Sequence, residues 1–256
     1  MTAFQFALQH DVVHVTGVDA RKFLHSQLAN DISSLKISES QYSLLLEPTG
    51  KITSVLRVLC ESEESFALDC ETGFGEISAK RLSRFKIRIK CEISSSVRKF
   101  VALRGLSAEQ FAEFSARDDA MCAWRAKDFA VDLAGASNLR EGTSDEFLRA
   151  RVRAFWPQMG VDITSDSVPS ETGLTDVAVS FTKGCYPGQE LVERMDSRGA
   201  TAPQMLRLIR AEAGAKPGDA VVVDGQTIGR YTSVCQEFAL ALIKRSANSS
   251  SIEIGS

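Results

Sequence analysis

Apolar and polar positions alternate over VVHVTG (12–17), a strand pattern, and then change period. In ARKFLHSQLAND (20–31), Phe23, Leu24, Gln27 and Leu28 fall on one helical face, and Asp19 stands where an N-cap belongs. YSLLLEPTGKITSVLRVLC (42–60) is two apolar runs around Pro48-Thr49-Gly50, which predicts a hairpin. SFALDC (65–70) predicts another strand, and a loop with Gly73 and Gly75 leads to a short helix near EISAKRLSRF (76–85). KIRIKCEI (86–93) puts Lys86, Arg88 and Lys90 on one face and Ile87 and Ile89 on the other, predicting a half-exposed strand. KFVALRG (99–105) adds a strand, and SAEQFAEFSA (107–116) a helix with a Ser107/Gln110 capping box. DEFLRARVRAFW (145–156) predicts a helix capped by Ser144 and stopped at Trp156-Pro157.

From about Ala202 the texture changes. MLRLIRAE, DAVVVDG, QTIGRYTSV and EFALALIKR are short strands separated by Gly, Pro and Asp, which predicts a small all-β module of barrel type. The chain therefore divides into an α+β body over 1–200 and a β module over 201–256, with a polar, frayed tail at SANSSSIEIGS.

Composition adds little to this picture. With 44% hydrophobic and 25% charged residues among 256, the chain has ordinary globular values, and a net charge of −3 gives no overall drive toward nucleic acid or membranes. No signal peptide and no run of about 20 apolar residues is recognisable, so a cytoplasmic protein without a membrane partner is expected, monomeric by default. The six cysteines include no CxxC and no zinc spacing with His10, His14 or His25, and five read as buried free thiols.

Cys185 differs. In FTKGCYPGQELVER (181–194) it follows Lys183, is flanked by Gly184 and Gly188, and precedes a helix start that Pro187 would open. A cation and a helix N-terminus both favour thiolate, whereas Glu190 opposes it; a buried cysteine in a tight turn is the alternative. KRLSRFKIRIK (80–90), with six basic residues, reads either as a solvated face or as a seat for an anion, such as an RNA backbone or the glutamate tail of a cofactor. Pro48-Thr49-Gly50-Lys51 lacks the spaced glycines and the Ser/Thr after lysine of a phosphate loop.

The stretch Lys183-Gly184-Cys185-Tyr186-x-Gly188-Gln189-Glu190, with Arg194 and then Arg198-Gly199, closely resembles the signature of the YgfZ family, folate-binding proteins linked to iron–sulfur cluster assembly and tRNA modification. That family is related to the T-protein, the aminomethyltransferase of the glycine cleavage system. FLHSQLANDI, PTGKITSVLRV, LSRFKIRIKCEI, VPSETGL and IGRYTS resemble further family stretches in the same order. The resemblance implies a T-protein-like ring of α/β lobes with a C-terminal β-barrel and tetrahydrofolate, or a related folate, in the central channel. It places Lys183, Gly184, Cys185, Tyr186, Gly188, Gln189, Glu190 and Arg194 beside that folate, with Lys183 and Cys185 as the reactive pair. Asn30, Asp31 and Glu171 are further candidates for its polar lining, or else turn, cap and surface residues. The implied role is an accessory factor for [4Fe–4S] clusters on client proteins, with no stably bound metal, since one thiol cannot supply the four ligands a cluster needs. An aminomethyltransferase is the alternative. True transferases carry Gly-Gly-Ile-x-Asp-Asp where this chain has Gly50-Lys51-Ile52-Thr53-Ser54-Val55, without either aspartate. A folate carrier with no chemistry is the third possibility.

Overall fold

The computed structural model describes residues 2–197 and 202–247; Arg198-Gly199 and the tail from 248 onward lie outside the described residues. The spine is β1 (Phe4–Thr16), longer than VVHVTG because FQFALQH before it also alternates. It pairs antiparallel with β4 (Ser65–Glu71) on one side and β5 (Glu92–Arg104) on the other. β2 (Ser40–Leu46) and β3 (Ile52–Ser62) form the expected hairpin, and β6 (Ala120–Cys122) and β7 (Val131–Leu133) complete a seven-stranded sheet in the order β2-β3-β4-β1-β5-β7-β6. Its two edges meet through side chains: the Cys122 amide donates to Ser40 Oγ at 2.8 Å and the Trp124 amide to Tyr42 Oη at 3.3 Å. The sheet therefore curls around an interior.

One apolar cluster lines that interior, among them Phe4, Leu44, Leu46, Trp124, Trp156 and Tyr186. A second holds Val13, Val15, Leu56, Val58 and Leu68, covered by Phe23 and Leu24 of α1 (Ala20–Gln27) and by Leu28 just after it. Burying a Leu or Phe fully contributes about 1.5–3 kcal/mol, so this helical face is what fixes α1. Asp19 does not cap it. Its Oδ2 accepts from the Lys90 amide at 2.8 Å instead, tying α1 to a distant loop.

Two further expectations are corrected. Residues 86–91 form no strand, because Arg88 adopts a left-handed φ of 59° that no strand tolerates, and β5 starts only at Glu92. The helix α4 (Ser144–Arg153) is capped by Thr143 rather than Ser144. Thr143 Oγ1 accepts from the Glu146 amide at 3.2 Å and Glu146 Oε2 accepts from the Thr143 amide at 2.9 Å. Helices α2 (Gly75–Ser83) and α3 (Ala108–Ser115) form as expected, the latter with its Ser107/Gln110 box.

The C-terminal module is a four-stranded antiparallel sheet of β8 (Gln204–Arg210), β9 (Ala220–Val223), β10 (Gln226–Cys235) and β11 (Phe238–Lys244), in the order β8-β11-β10-β9. It docks on α4 through Val152 against Leu206, Cys235, Leu240 and Leu242. No helix among the described residues is long and apolar enough to cross a membrane.

Candidate functional site

The motif cysteine sits on a loop whose shape follows from its neighbours. The Gln189 amide donates to Tyr186 O at 3.3 Å, and Gly188 has φ +86°, the Pro-Gly geometry of a type II turn. Pro187 thus lies in a turn ahead of α7 (Gln189–Ser197) and does not open that helix. Gly188 is also required by space: a Cβ there would stand 2.7 Å from Glu47 O and 3.0 Å from Gly50 Cα. The cysteine loop and the tip of the β2–β3 hairpin are therefore pressed backbone to backbone. Gly184, by contrast, faces open space.

Cys185 is exposed, in a shallow surface depression with Pro48, Gln189 and Glu190. The Lys183 ammonium is turned to the C-terminal end of α1, donating to His25 O, to Leu28 O at 2.6 Å and to Asn30 O at 3.3 Å. A cation at this negative end of a helix dipole is favourable. Burial lowers its pKa to about 8 against the opposing charge of Asp31. Its donors serve the carbonyls, so the lysine anchors the loop. Tyr186 is buried, its phenol pushed up to about 12 chiefly by burial, in the same apolar cluster as Trp156, Met159 and Tyr42. Gln189 closes the loop, its Oε1 accepting from the Tyr186 amide at 3.3 Å, while Glu190 and Arg194 are exposed on α7.

The other nominated residues are built into turns. Asn30 Nδ2 donates to Tyr42 O at 2.8 Å and to Val177 O at 3.1 Å. Asp31 Oδ1 accepts from the Ser33 amide and hydroxyl at 2.8 and 2.6 Å, and the Ser33 hydroxyl is the main cause of its lowered pKa. Glu171 is buried, its Oε2 accepting from the Val168 amide at 3.2 Å, and burial raises its pKa. The structure brings Asn30 and Asp31 to the foot of Lys183, and places Glu171 in the short helix α5 (Pro169–Thr172), which packs against α7 through the Ser170 hydroxyl on Met195 Sδ at 2.9 Å.

Inside the curled sheet lies a cavity of about 400 Å³ that contains none of the nominated residues. Its walls include Phe6, Tyr42, Trp124, Phe147 and Trp156, with Val55 and Met159 between them. Phe6 stacks on Phe147 with centroids 4.7 Å apart, and Tyr42 packs tilted against Trp156, with centroids 4.5 Å apart and planes at 52°. The polar part of the lining is an ionic network. Arg57 Nε and Nη2 donate to the two oxygens of Asp69 at 2.8 and 3.0 Å, and Nη1 donates to Asp132 Oδ2 at 2.6 Å. Arg104 pairs with Asp132 Oδ1 at 2.8 Å and lies 4.0 Å over the Trp124 ring. Among the described residues, the buried Nε of Arg104 has no hydrogen-bond partner. His10 Nδ1 lies 2.9 Å from Asp69 Oδ2, and Glu71, raised by burial, lies beside Gln158. A sequence signal for this network exists: β3, β4 and β7 each carry one charged residue within an apolar core (VLRVL, FALDC, VDL), and Arg104 ends the apolar run of β5. A lone charge in a buried strand must be paired.

Burial is the largest influence on His10 and lowers its pKa, but the hydrogen bond and charge of Asp69 together outweigh it, leaving the pKa raised. The pairing therefore stabilises the fold fully below about pH 6.5, the unfolded value, and that contribution is lost as pH rises through the folded value. Asp69 and Asp132, held low by the arginines against the larger opposing effect of burial, contribute above their ordinary range and lose this as pH falls. In denaturant titrations across pH 5–9, His10→Gln is expected to remove the decline on the alkaline side of neutrality. A decline of the same size in the variant would assign it to another group.

No protein-family model matches the chain. Among curated proteins, it is 25% identical over 226 residues to the tRNA-modifying protein YgfZ of Vibrio vulnificus, covering 80% of this chain and 69% of that one. It is 27% identical over 215 residues to the protein of the same name from Photorhabdus laumondii, covering 74% and 65%. An uncharacterized protein of Haemophilus influenzae is 25% identical over 210 residues, covering 80% and 72%. The chain resembles the YgfZ proteins in sequence. Its fold is that of the T-protein: the aminomethyltransferase T of Bartonella henselae superposes with a TM-score of 0.71 at 19% identity, over 94% of this chain and 78% of that one. Of the two positions set against the transferase aspartates in sequence, Ser54 is buried and Val55 lies on the cavity wall.

Proposed function

We propose that this chain is a folate-binding accessory factor for [4Fe–4S] clusters on client proteins, with the aromatic cavity as the folate site and Cys185 as a separate surface thiol. The observation that carries the reading is the cavity itself. Its volume is within the roughly 300–1,000 Å³ of small-molecule sites, and flat aromatic walls with a few polar groups suit a planar heterocycle. The unpartnered Nε of Arg104 and the Glu71–Gln158 pair are groups to which a pterin's hydrogen-bonding edge would be complementary. A bound tetrahydrofolate would supply a reduced ring able to carry one-carbon units. The chain's own residues would stack it, exclude water and offer hydrogen bonds. Cys185 on the outer loop is accessible to a client's cluster, and Tyr186 links that loop to the cavity's apolar wall.

The aminomethyltransferase reading is weaker, because Ser54 and Val55 supply neither a base nor a negative charge near a reacting amine. The tRNA-modifying role in the relatives' name is assigned here through clients rather than direct RNA contact. A cytoplasmic, monomeric protein divided at residues 200 and 201 completes the proposal.

Calorimetric titration with tetrahydrofolate tests it. Saturable micromolar binding is expected, unchanged in Cys185→Ala and weakened about tenfold, some 1.4 kcal/mol, in Phe147→Ala. No binding to the wild type would remove the folate reading. Loss of binding in Cys185→Ala alone would move the site to the surface depression.

A further inference from the structure

The basic run at 80–90 plays no part in that reading, and its backbone departs from its own pattern. Alternation in KIRIK would place Ile87 and Ile89 on one face. The structure separates them: Ile89 packs against the apolar cluster beneath α1, while Ile87 is 74% exposed. Arg88 is the cause, its left-handed φ of 59° following close turns in which the Lys86 amide donates to Ser83 O at 3.2 Å and the Ile87 amide to Phe85 O at 3.0 Å. Such a conformation is unfavourable for a residue other than glycine and is found disproportionately at functional sites. Here it holds an isoleucine in water that a regular strand would bury.

The surroundings of Ile87 are apolar and basic. Phe85 is 39% exposed, and the Arg81 guanidinium, buried against Leu46 O at 2.6 Å, lies 4.3 Å from its ring. Ile77 and Lys80 of α2 and Arg84, its C-cap, share the exposed face at i, i+3 and i+7. Val18, also exposed, adjoins the far end, where the Asp19 amide donates to Lys90 O at 3.3 Å. Lys80, Arg84, Arg88 and Lys90 are exposed and Lys86 half-buried; Glu76 pairs with Lys80 at 3.6 Å and Glu92 with Lys86 at 3.3 Å, and the Asp19 carboxylate is held on the Lys90 amide at 2.8 Å. This is a local positive surface on a chain of net charge −3.

We propose that the connection between α2 and β5 docks an acidic protein segment bearing an apolar side chain, with Ile87 and Phe85 as the apolar centre and Arg84, Arg88 and Lys90 as its charged rim. Protein interfaces join an apolar centre to a polar rim, and opposite charge on the partner sets association rate and salt dependence. A nucleic-acid backbone would use the cations alone. Of the exposed apolar residues only Phe85 offers a π-face on which a base could stack, whereas Ile87 and Ile77 offer purely aliphatic contact, which favours an apolar protein side chain.

The test measures fluorescence anisotropy of the full chain with two synthetic peptides of equal negative charge, one carrying leucines and the other serines at the same positions, and with bulk tRNA. The leucine peptide is expected to bind at micromolar concentration and the serine peptide at least tenfold more weakly. Ile87→Ser is expected to weaken the leucine peptide about tenfold with an unchanged melting temperature, since exposed substitutions rarely shift stability by more than about 0.5 kcal/mol. Arg84→Glu with Arg88→Glu is expected to abolish binding, and added salt to weaken it. Tetrahydrofolate binding should be unaffected by all of these. Equal binding of the two peptides, or binding of neither, overturns the proposal. So does tRNA binding that the charge reversals abolish and Ile87→Ser leaves intact, which would mark a phosphate-backbone surface.

Discussion

Arg57→Met is expected to lower the unfolding free energy by about 3–5 kcal/mol, the cost of leaving buried charges without their partner. Arg57 is 2% exposed and satisfies both oxygens of Asp69, one of Asp132 and the Cys122 carbonyl at 2.8 Å. Methionine matches the aliphatic stem but none of the four hydrogen bonds. Asp69 would keep only His10, and Asp132 only Arg104. Because the Arg57 charge opposes protonation of His10, the variant should also raise the His10 pKa, which imidazole NMR would read. Adding Asp69→Asn removes one stranded charge, so the double variant should lose less than the sum of the single losses. A loss below about 1 kcal/mol in chemical denaturation would show that the network is solvated rather than sealed.

Asp162→Ala is expected to cost a similar amount, about 3–5 kcal/mol, and to act on a different part of the molecule. The Asp162 side chain is fully buried. Oδ2 accepts from Arg151 at 2.6 Å and from the Gln158 amide at 3.0 Å, and Oδ1 accepts from Thr232 Oγ1 at 2.5 Å and Ser233 Oγ at 2.8 Å. One carboxylate thus joins α4, the turn after it, and β10 of the C-terminal sheet. Limited proteolysis of the variant should release the segment after residue 200 sooner than in the wild type, the behaviour expected of a separately folding β module whose docking has been cut. Simultaneous digestion of the whole chain would argue against the proposed division.

The chain's local patterns carried most of the element map. The hairpin over 42–60, the apolar face of α1 and the four C-terminal strands follow from spacing that burial then enforces. At Pro187-Gly188 the local pattern misleads: Pro187 is expected to open a helix, whereas the positive φ of Gly188 makes the pair a turn ahead of α7. Errors arose where a residue's partner lies far along the chain. Asp19 leaves its cap position for Lys90, 71 residues away, and Lys183 reaches His25, 158 residues away, where sequence proximity suggested the thiol. Distance in sequence also hid the cavity. Phe6 comes from β1, Tyr42 from β2, Trp124 from just after β6, Phe147 from α4 and Trp156 from the turn after it, and no local period encodes their meeting.

By itself, then, the sequence determined the α+β character, the C-terminal strand-rich module and the motif around Cys185, because each depends on neighbours within a few turns or one hairpin. Tertiary structure alone decided which charges are paired, that Lys183 anchors rather than flanks the thiol, and that the aromatic residues enclose a cavity. Those outcomes depend on burial and on contacts between distant strands, and a buried charge takes the partner that packing delivers to it.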